Sequence, residues 1–220
     1  RDTSGRVLWR MDGAADFARV RIAWHPVLFD AAYGSYRGAW AKGLGLAALG
    51  MRLRTAGGLL LHGTAAALDG TGILCAGLSG TGKSTLARIL AAAGAAVLTD
   101  ERAAVRRQPS PDAPFRVYGT PWPSSAGAAR NGWAPLRRLY LLAHGAADRI
   151  TPLAPQEAVR RLIPVTTIPW QTPSLLDPCL ETLHALVRAV PCALLEFRPA
   201  AEAAAVIRGD LGPAGKGAAP

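Results

Sequence analysis

The chain has 220 residues, half of them apolar, and a formal net charge of +10. This length allows one large domain or one domain with an appendage, and the apolar fraction is sufficient for a buried core. Abundant Ala, Gly and Arg with few aromatic residues favour a helix-rich α/β fold. The charge could attract anions such as nucleotides, or it could be a compositional habit. The arginines are scattered along the chain and occur at most in short pairs. This distribution of the positive charge argues against a nucleic-acid partner.

The three cysteines, Cys75, Cys179 and Cys192, are far apart and set in apolar surroundings. They show no CxxC or Cys/His spacing, so the sequence predicts neither a disulfide framework nor a zinc site. A reducing cytoplasm fits this usage best. No segment contains the run of about 20 apolar residues that a membrane span needs, so no membrane partner is expected. The sequence begins with Arg1, which leaves a trimmed N-terminus or a lost signal peptide open.

Residues 1–58 are expected to form a small N-terminal extension or subdomain. Short apolar runs predict strands at residues 7–11 and 20–24, and apolar residues at helical spacing predict a helix over residues 36–54. The Gly57-Gly58 pair ends that helix.

The pattern changes at residue 59, where a larger domain is expected to begin and to reach residue 211. A buried strand at 59–68, a hairpin turn at 69–72 and a strand at 73–76 come first. A helix at 83–93, capped by Gly94, and a strand at 95–99 follow.

The remaining predicted elements are three strands and three helices. Further strands are predicted at residues 115–118, 138–142 and 193–197, and further helices at 155–162, 175–190 and 200–211. A loop is expected at 109–114, a long mobile loop rich in Gly, Pro, Ser and Ala at 118–135, and a flexible tail at 212–220.

A phosphate-binding loop lies between the predicted strand at 73–76 and the following helix. The spacing G-x-x-x-x-G-K-[ST] (the P-loop, or Walker A motif) is complete over residues 77–84. Glycines let backbone N–H groups turn toward phosphates, and the helix presents its positive end to them. Lys83 can reach the β- and γ-phosphates, and the hydroxyl of Ser84 can ligate Mg²⁺. The sequence therefore predicts binding of ATP with Mg²⁺ by Gly77, Ser79, Gly80, Thr81, Gly82, Lys83, Ser84 and Thr85.

Two adjacent carboxylates, Asp100 and Glu101 (the acid pair), follow the next predicted strand. A P-loop site needs an acidic residue at the end of a neighbouring strand to hold the metal. On an extended chain the two side chains point in different directions. One could hold Mg²⁺ together with Ser84 while the other takes a proton from an attacking hydroxyl. Alternatively, only one of them acts and the other is a solvated strand end.

The short distance from the P-loop to the acid pair, with Leu61-His62-Gly63 upstream, resembles the bacterial HPr kinase/phosphorylase family. The resemblance spans about residues 59–207 and is specific in its first third. It implies the fold shared with phosphoenolpyruvate carboxykinase, a strongly curved mixed sheet beside the P-loop helix. It also implies transfer of the ATP γ-phosphoryl group to a serine hydroxyl, and, since the family tends to form rings, a homo-oligomer. His62 would then polarise the γ-phosphate or position the acceptor; otherwise it is a strand-end histidine bonded to the backbone.

The sequence departs from the family at residues 116–122, where the expected Glu-x-Arg-Gly block is absent. The reverse, phosphate-removing reaction and HPr itself as the substrate are therefore in doubt. The segments 118–122 and 190–197 are similar to those of short HPr-kinase-related proteins. These include kinases that phosphorylate the C-terminal serine of lasso-peptide precursors.

Several residues of the predicted long loop and the strand after it admit two interpretations. An arginine there could stabilise charge on the transferred phosphoryl group, or be solvated surface. The tryptophans could grip a peptide or anchor the loop on the core. The residues concerned are Arg130, Arg137, Arg138, Trp122 and Trp133.

Together these observations predict a kinase acting on a serine of a peptide or protein, with catalytic roles for Asp100, Glu101, His62 and Lys83. Two alternatives remain: a kinase for a small-molecule hydroxyl, and a non-catalytic ATP-binding regulatory partner. Nucleic-acid binding ranks last, because basic and aromatic residues do not interleave on one surface.

Overall fold

The computed structural model describes residues 9–14, 17–26, 37–111, 114–170 and 173–212. Residues 7–8 of the first predicted strand and 213–220 of the predicted tail lie outside these ranges. The strands are β1 (Trp9–Gly13), β2 (Val20–Trp24), β3 (Gly58–Leu68), β4 (Thr71–Ala76), β5 (Ala96–Thr99), β6 (Arg102–Arg107), β7 (Phe115–Tyr118), β8 (Trp133–His144), β9 (Arg149–Pro152) and β10 (Cys192–Phe197). The helices are α1 (Arg37–Thr55), α2 (Lys83–Ala92), α3 (Pro155–Leu162), α4 (Pro173–Ala189) and α5 (Glu202–Leu211).

Five strands close into a barrel-like sheet. The ring runs β4–β3–β6–β7–β8 and returns to β4, because β4 pairs with both β3 and β8. The pairs β4–β8 and β8–β10 are parallel, and the other pairs of this sheet are antiparallel. Strands β10 and β9 extend the sheet beyond β8. The expected strongly curved mixed sheet beside the P-loop helix agrees with this arrangement, since α2 packs on β3.

Strands β5 and β6 both pair with β3 along the same edge, one after the other. Ala65 lies opposite Thr99 and His62 lies opposite Arg102 in the same antiparallel register, which shifts between Ala65 and Ala66. The acid pair occupies the break between the two strands. The backbone N–H of Gly63 donates to the backbone oxygen of the second acid at 3.1 Å. Strand pairing alone therefore places the acid pair beside His62.

Both faces of the central strands are covered by apolar side chains. Leu74 of β4 belongs to the cluster that contains α3 and α4 residues, whereas its neighbours Ile73 and Cys75 belong to the cluster that contains α2 and α5 residues. A strand buried on both faces reads as a continuous apolar run rather than as an alternating one. This explains why β3 and β4 are recognisable from the sequence.

The sheet contains two strands that were not predicted from the sequence, β6 in the barrel and β9 at the edge beyond β10. In β6 a short apolar centre is flanked by arginines, and in β9 all four residues are exposed or half-buried. Neither pattern predicts a strand by itself; pairing with β3, β7 and β10 creates them. In contrast, β2 and β7 have the predicted bounds.

The predicted loop at 118–135 is wrong at both ends, because Tyr118 belongs to β7 and Trp133 and Pro135 belong to β8. The connection is therefore the 119–132 loop. The N–H of Arg130 donates to the Leu98 oxygen at 2.9 Å, and that of Gly119 to the Gly132 oxygen at 3.0 Å. These bonds attach the loop to β5 and pair its two ends, and its mobility stays a prediction.

Helix α1, part of the predicted N-terminal extension, packs on β3 and α4. The division at residue 58 stays a prediction. Among the described residues, none of the helices is both long and apolar enough to cross a membrane.

Candidate functional site

The P-loop connects β4 to α2, which begins at Lys83. Gly82 takes the N-cap position in the left-handed region, with φ of 89°. Within the described residues no side chain caps the first turn. The first N–H groups of the helix are therefore available to an anion, and the helix dipole favours negative charge there.

Lys83 is buried, with 7% of its surface exposed, and its Nζ donates to the Leu78 oxygen at 2.6 Å. Thr81 Oγ1 donates to the same carbonyl at 2.9 Å. Thr64 Oγ1 on β3 donates to the backbone oxygen of Lys83 at 3.0 Å, which ties the helix to the barrel. Burial, with a smaller contribution from neighbouring Arg102, lowers the pKa of Lys83 although Glu101 opposes this.

The structure gives the two acids different surroundings. Asp100 is 1% exposed, and its two carboxylate oxygens accept hydrogen bonds from the backbone N–H groups of Ser124 at 2.9 Å and Ala126 at 2.7 Å. Glu101 is half-buried and pairs with Lys42 of α1 at 3.2 Å. Asp100 thus holds the 119–132 loop at the site, whereas Glu101 is the more exposed of the two acids.

Opposing effects act on the Glu101 carboxyl. Burial alone would raise its pKa, but the hydrogen bond and charge of Lys42 and a hydrogen bond from the Ser124 side chain outweigh it, so the pKa lies below its ordinary value. The carboxylate is therefore the charged acceptor form at neutral pH.

His62 is half-buried beside three cations. Burial first, then the charges of Lys83 and Arg102, lowers its pKa from 6.5 to about 4. At neutral pH it is an uncharged imidazole. Because the unfolded chain takes up this proton near 6.5 and the folded chain only near 4, His62 destabilises the fold as the pH falls through that window.

A cavity of about 450 Å³ brings most of the predicted residues together. Gly77 and Thr81 do not line it and shape the loop instead. Two other cavities, near α3 and α4, contain none of the predicted residues. The residues lining the site are His62, Ser79, Gly80, Gly82, Lys83, Ser84, Thr85, Arg88, Asp100, Glu101, Ser124 and Ser125.

Sequence reasoning missed several residues of the site. Arg88 lies four residues after Ser84, and this spacing puts both on one face of α2, so it was discoverable. His144 ends β8, which runs parallel to β4, and its Nε2 lies 2.9 Å from the Gly80 oxygen. Only the pairing reveals that contact, and likewise the arrival of Lys42 from α1.

The loop tryptophans have separate positions. A Cβ at Gly45 of α1 would lie 2.7 Å from Trp122 Cζ2, so Trp122 anchors the loop on α1. Trp133 is 47% exposed and lies under Arg116, whose Cζ is 3.7 Å from the ring centroid. Arg138 donates two hydrogen bonds of 2.7 Å to the Asp210 carboxylate on α5 and thereby holds that helix against β8.

The residues present fit ATP and Mg²⁺. The uncapped turn of α2 and the buried ammonium of Lys83 suit phosphate oxygens. Ser84 and the acid pair supply the hydroxyl and carboxylate oxygens that Mg²⁺ takes alongside substrate phosphates and water. Among the described residues, no group of three or more His, Cys, Asp or Glu could hold a metal by itself.

A scan against protein-family models gives no match, and a search of curated proteins gives none either. Among solved structures, the Hpr(Ser) kinase/phosphatase from Coxiella burnetii is similar to this chain, with 12% sequence identity and a TM-score of 0.42. The alignment covers 69% of this chain and 95% of that chain. A TM-score of this size does not establish a shared fold or activity. A function for this chain therefore rests on the geometry of the site.

Replacing Gly82 by alanine is expected to weaken ATP binding about tenfold or more. The left-handed φ strains any other residue by about 1–3 kcal/mol, and the new methyl would lie 2.8 Å from Phe197 Cζ. Gly94→Ala is the matched control, because Gly94 has φ of 87° but no atom within 4 Å of a Cβ. Titration with a fluorescent ATP analogue measures both, and equal affinities in the two variants would contradict the prediction.

Proposed function

We propose that this chain is an ATP-dependent kinase that transfers the γ-phosphoryl group to a serine hydroxyl of a peptide or protein. One observation carries the proposal: a P-loop with a buried lysine, the acid pair and His62 all line one cavity. Phosphoryl transfer needs positioning and charge stabilisation more than covalent chemistry, and this cavity offers both.

The charges around the cavity suit a polyanion. Lys83 and Arg88 line it together with two carboxylates, Lys42 pairs with Glu101, and the charges of Lys42 and Arg102 act on His62. Among the described residues, the Nε of Arg102 is buried without a hydrogen-bond partner. Lys83 and the helix N-terminus would hold the phosphates, and bound Mg²⁺ would neutralise their charge and orient them.

The two acids take separate roles in this proposal. Asp100, together with Ser84, would hold the metal, because each of its carboxylate oxygens keeps a lone pair beyond its bond to the 119–132 loop. Glu101 orients the acceptor hydroxyl and takes its proton, because it lines the cavity, is less buried than Asp100 and has a pKa below its ordinary value. The uncharged His62 can donate one N–H to the phosphate or the acceptor without adding charge.

The acceptor class follows from the sequence resemblance, which makes a serine-containing ribosomal peptide precursor of the lasso type the first substrate to test. Purified protein is incubated with labelled ATP, Mg²⁺ and three acceptor sets: serine-containing peptides, HPr-like proteins and small hydroxyl compounds. Transfer to peptides or proteins supports the proposal. Transfer only to small compounds would instead identify a kinase for small-molecule hydroxyls. ATP binding without any transfer would identify a regulatory ATP-binding protein and refute the proposal.

Lys42→Ala is expected to move the acid limb of the kcat/KM pH profile to higher pH. Burial raises the pKa of Glu101, and the ammonium of Lys42 is the main group that lowers it. Without the ammonium the pKa rises, so the carboxylate is protonated at a higher pH. A partly exposed ion pair contributes up to about 1 kcal/mol, or about fivefold in activity on that limb. Lys42→Arg keeps the charge and should keep the wild-type profile. Superimposable profiles for all three proteins would rule out this role of Lys42.

A further inference from the structure

Ser124 lies inside the site that the proposed kinase reaction uses, although it belongs to the 119–132 loop and not to the P-loop. It lines the same cavity as Lys83 and Ser84. Glu101, the group to which the acceptor proton is assigned, lines this cavity too. A serine of the chain itself therefore lies in the cavity that the proposal gives to the substrate hydroxyl.

Three contacts tie this part of the loop to the rest of the protein. The backbone N–H of Ser124 donates to Asp100 at 2.9 Å. The next residue, Ser125, accepts a hydrogen bond on its backbone oxygen from Arg88 of α2 at 2.8 Å. Beyond it, Ala129 forms a β-bridge with Thr99. A hydroxyl held on a fixed loop beside the phosphate site has a high effective concentration there.

We infer that Ser124 is a modification site at which the protein phosphorylates itself within one chain. This inference rests on the proposed kinase function. The Ser124 oxygen forms a bond to the γ-phosphorus of ATP, the bond from that phosphorus to the β,γ-bridging oxygen breaks, and the hydroxyl proton passes to Glu101. The products are phosphoserine and ADP.

The modification has a consequence for the loop. A phosphoserine carries a charge of about −1.5 to −2 at neutral pH and is repelled by adjacent carboxylates. The two hydrogen bonds that Asp100 makes to the loop are then opposed by like charge. Phosphorylation of Ser124 therefore releases the loop and opens the cavity to an external acceptor.

Mass spectrometry of the full chain after incubation with ATP and Mg²⁺ tests the transfer. We expect one phosphate, located on Ser124, formed with a first-order rate constant that does not depend on protein concentration. Ser124→Ala should take up none, and Ser124→Thr should restore a slower uptake because it keeps the hydroxyl. Ser110→Ala, which removes an exposed hydroxyl outside the cavity, should still carry the phosphate on residue 124.

The outcomes separate this inference from the kinase proposal. An added peptide phosphorylated while Ser124 stays unmodified overturns the inference alone, as does a rate proportional to protein concentration, which indicates transfer between chains. Phosphate on neither Ser124 nor any acceptor, despite ATP binding, overturns the kinase proposal with it.

Limited trypsin digestion tests the loop release without nucleotide. Ser124→Asp places a negative charge beside the acid pair, so we expect cleavage after the exposed Arg130 to be several-fold faster than in the wild type. Ser125→Asp puts the same charge near Arg88 instead and should not accelerate cleavage. Equal rates for Ser124→Asp and the wild type would overturn the proposed release.

Discussion

Replacing Lys83 by alanine is expected to lower phosphoryl transfer about 10²–10³-fold, as loss of one preorganised charge donor does at other sites. The ammonium is buried at the mouth of the P-loop and in this structure donates to the Leu78 oxygen. With ATP bound, the same group is available to the phosphates. Initial rates with labelled ATP, together with the dissociation constant of an ATP analogue, measure the effect.

Two controls make the Lys83 result specific. Lys83→Arg keeps the charge but not the compact shape of the ammonium, so it should retain part of the binding and little of the transfer. Arg160→Ala removes an exposed cation that pairs with Glu157 on α3, and it should leave both quantities unchanged. If Lys83→Ala transferred phosphate at the wild-type rate, the P-loop would not be the catalytic site.

Replacing Asp100 by alanine is expected to affect both transfer and stability. The change removes a carboxylate assigned to the metal, so transfer should fall about 10²–10³-fold. It also leaves the N–H groups of Ser124 and Ala126 without their acceptor. Loss of hydrogen bonds to a charged group costs about 1.5–3 kcal/mol each at most, which lowers the melting temperature by several degrees.

Asp100→Asn separates the two effects. The amide keeps an oxygen for one of the loop N–H groups but loses the charge, so the melting temperature should fall less than in the alanine variant. Transfer should fall as far as in the alanine variant, because metal binding needs the carboxylate. Wild-type transfer by Asp100→Asn would show that the charge is not used. Calorimetry and initial rates give the two readings.

The parts of the fold that were predictable from sequence are those with strong local signals. Strands β3 and β4 are continuous apolar runs, α2 follows a P-loop, and α4 has apolar residues at helical spacing along a buried face. Strand β6 has no such signal, because its arginines hide an apolar centre that is buried only by its neighbours in the barrel.

The candidate site likewise contains residues that were predictable from the sequence and residues that only the fold brings together. The P-loop and the acid pair were predicted because phosphate and magnesium chemistry restrict the residue types at those spacings. Lys42, His144 and Ser124 reach the site from α1, β8 and the 119–132 loop, which are distant in the chain. Nothing in their own neighbourhoods in the sequence distinguishes them from other residues of their type.

The sequence by itself determined the P-loop spacing and the two carboxylates a short distance after it, since both depend on the local order of residues. Only the tertiary structure decided which acid is covered by the loop and which is the more exposed. That difference arises because closure of β3 against β5 and β6 fixes the acid pair at a strand break, where the 119–132 loop covers Asp100 and Lys42 pairs with Glu101. Such contacts depend on pairings between distant segments, which no local pattern encodes.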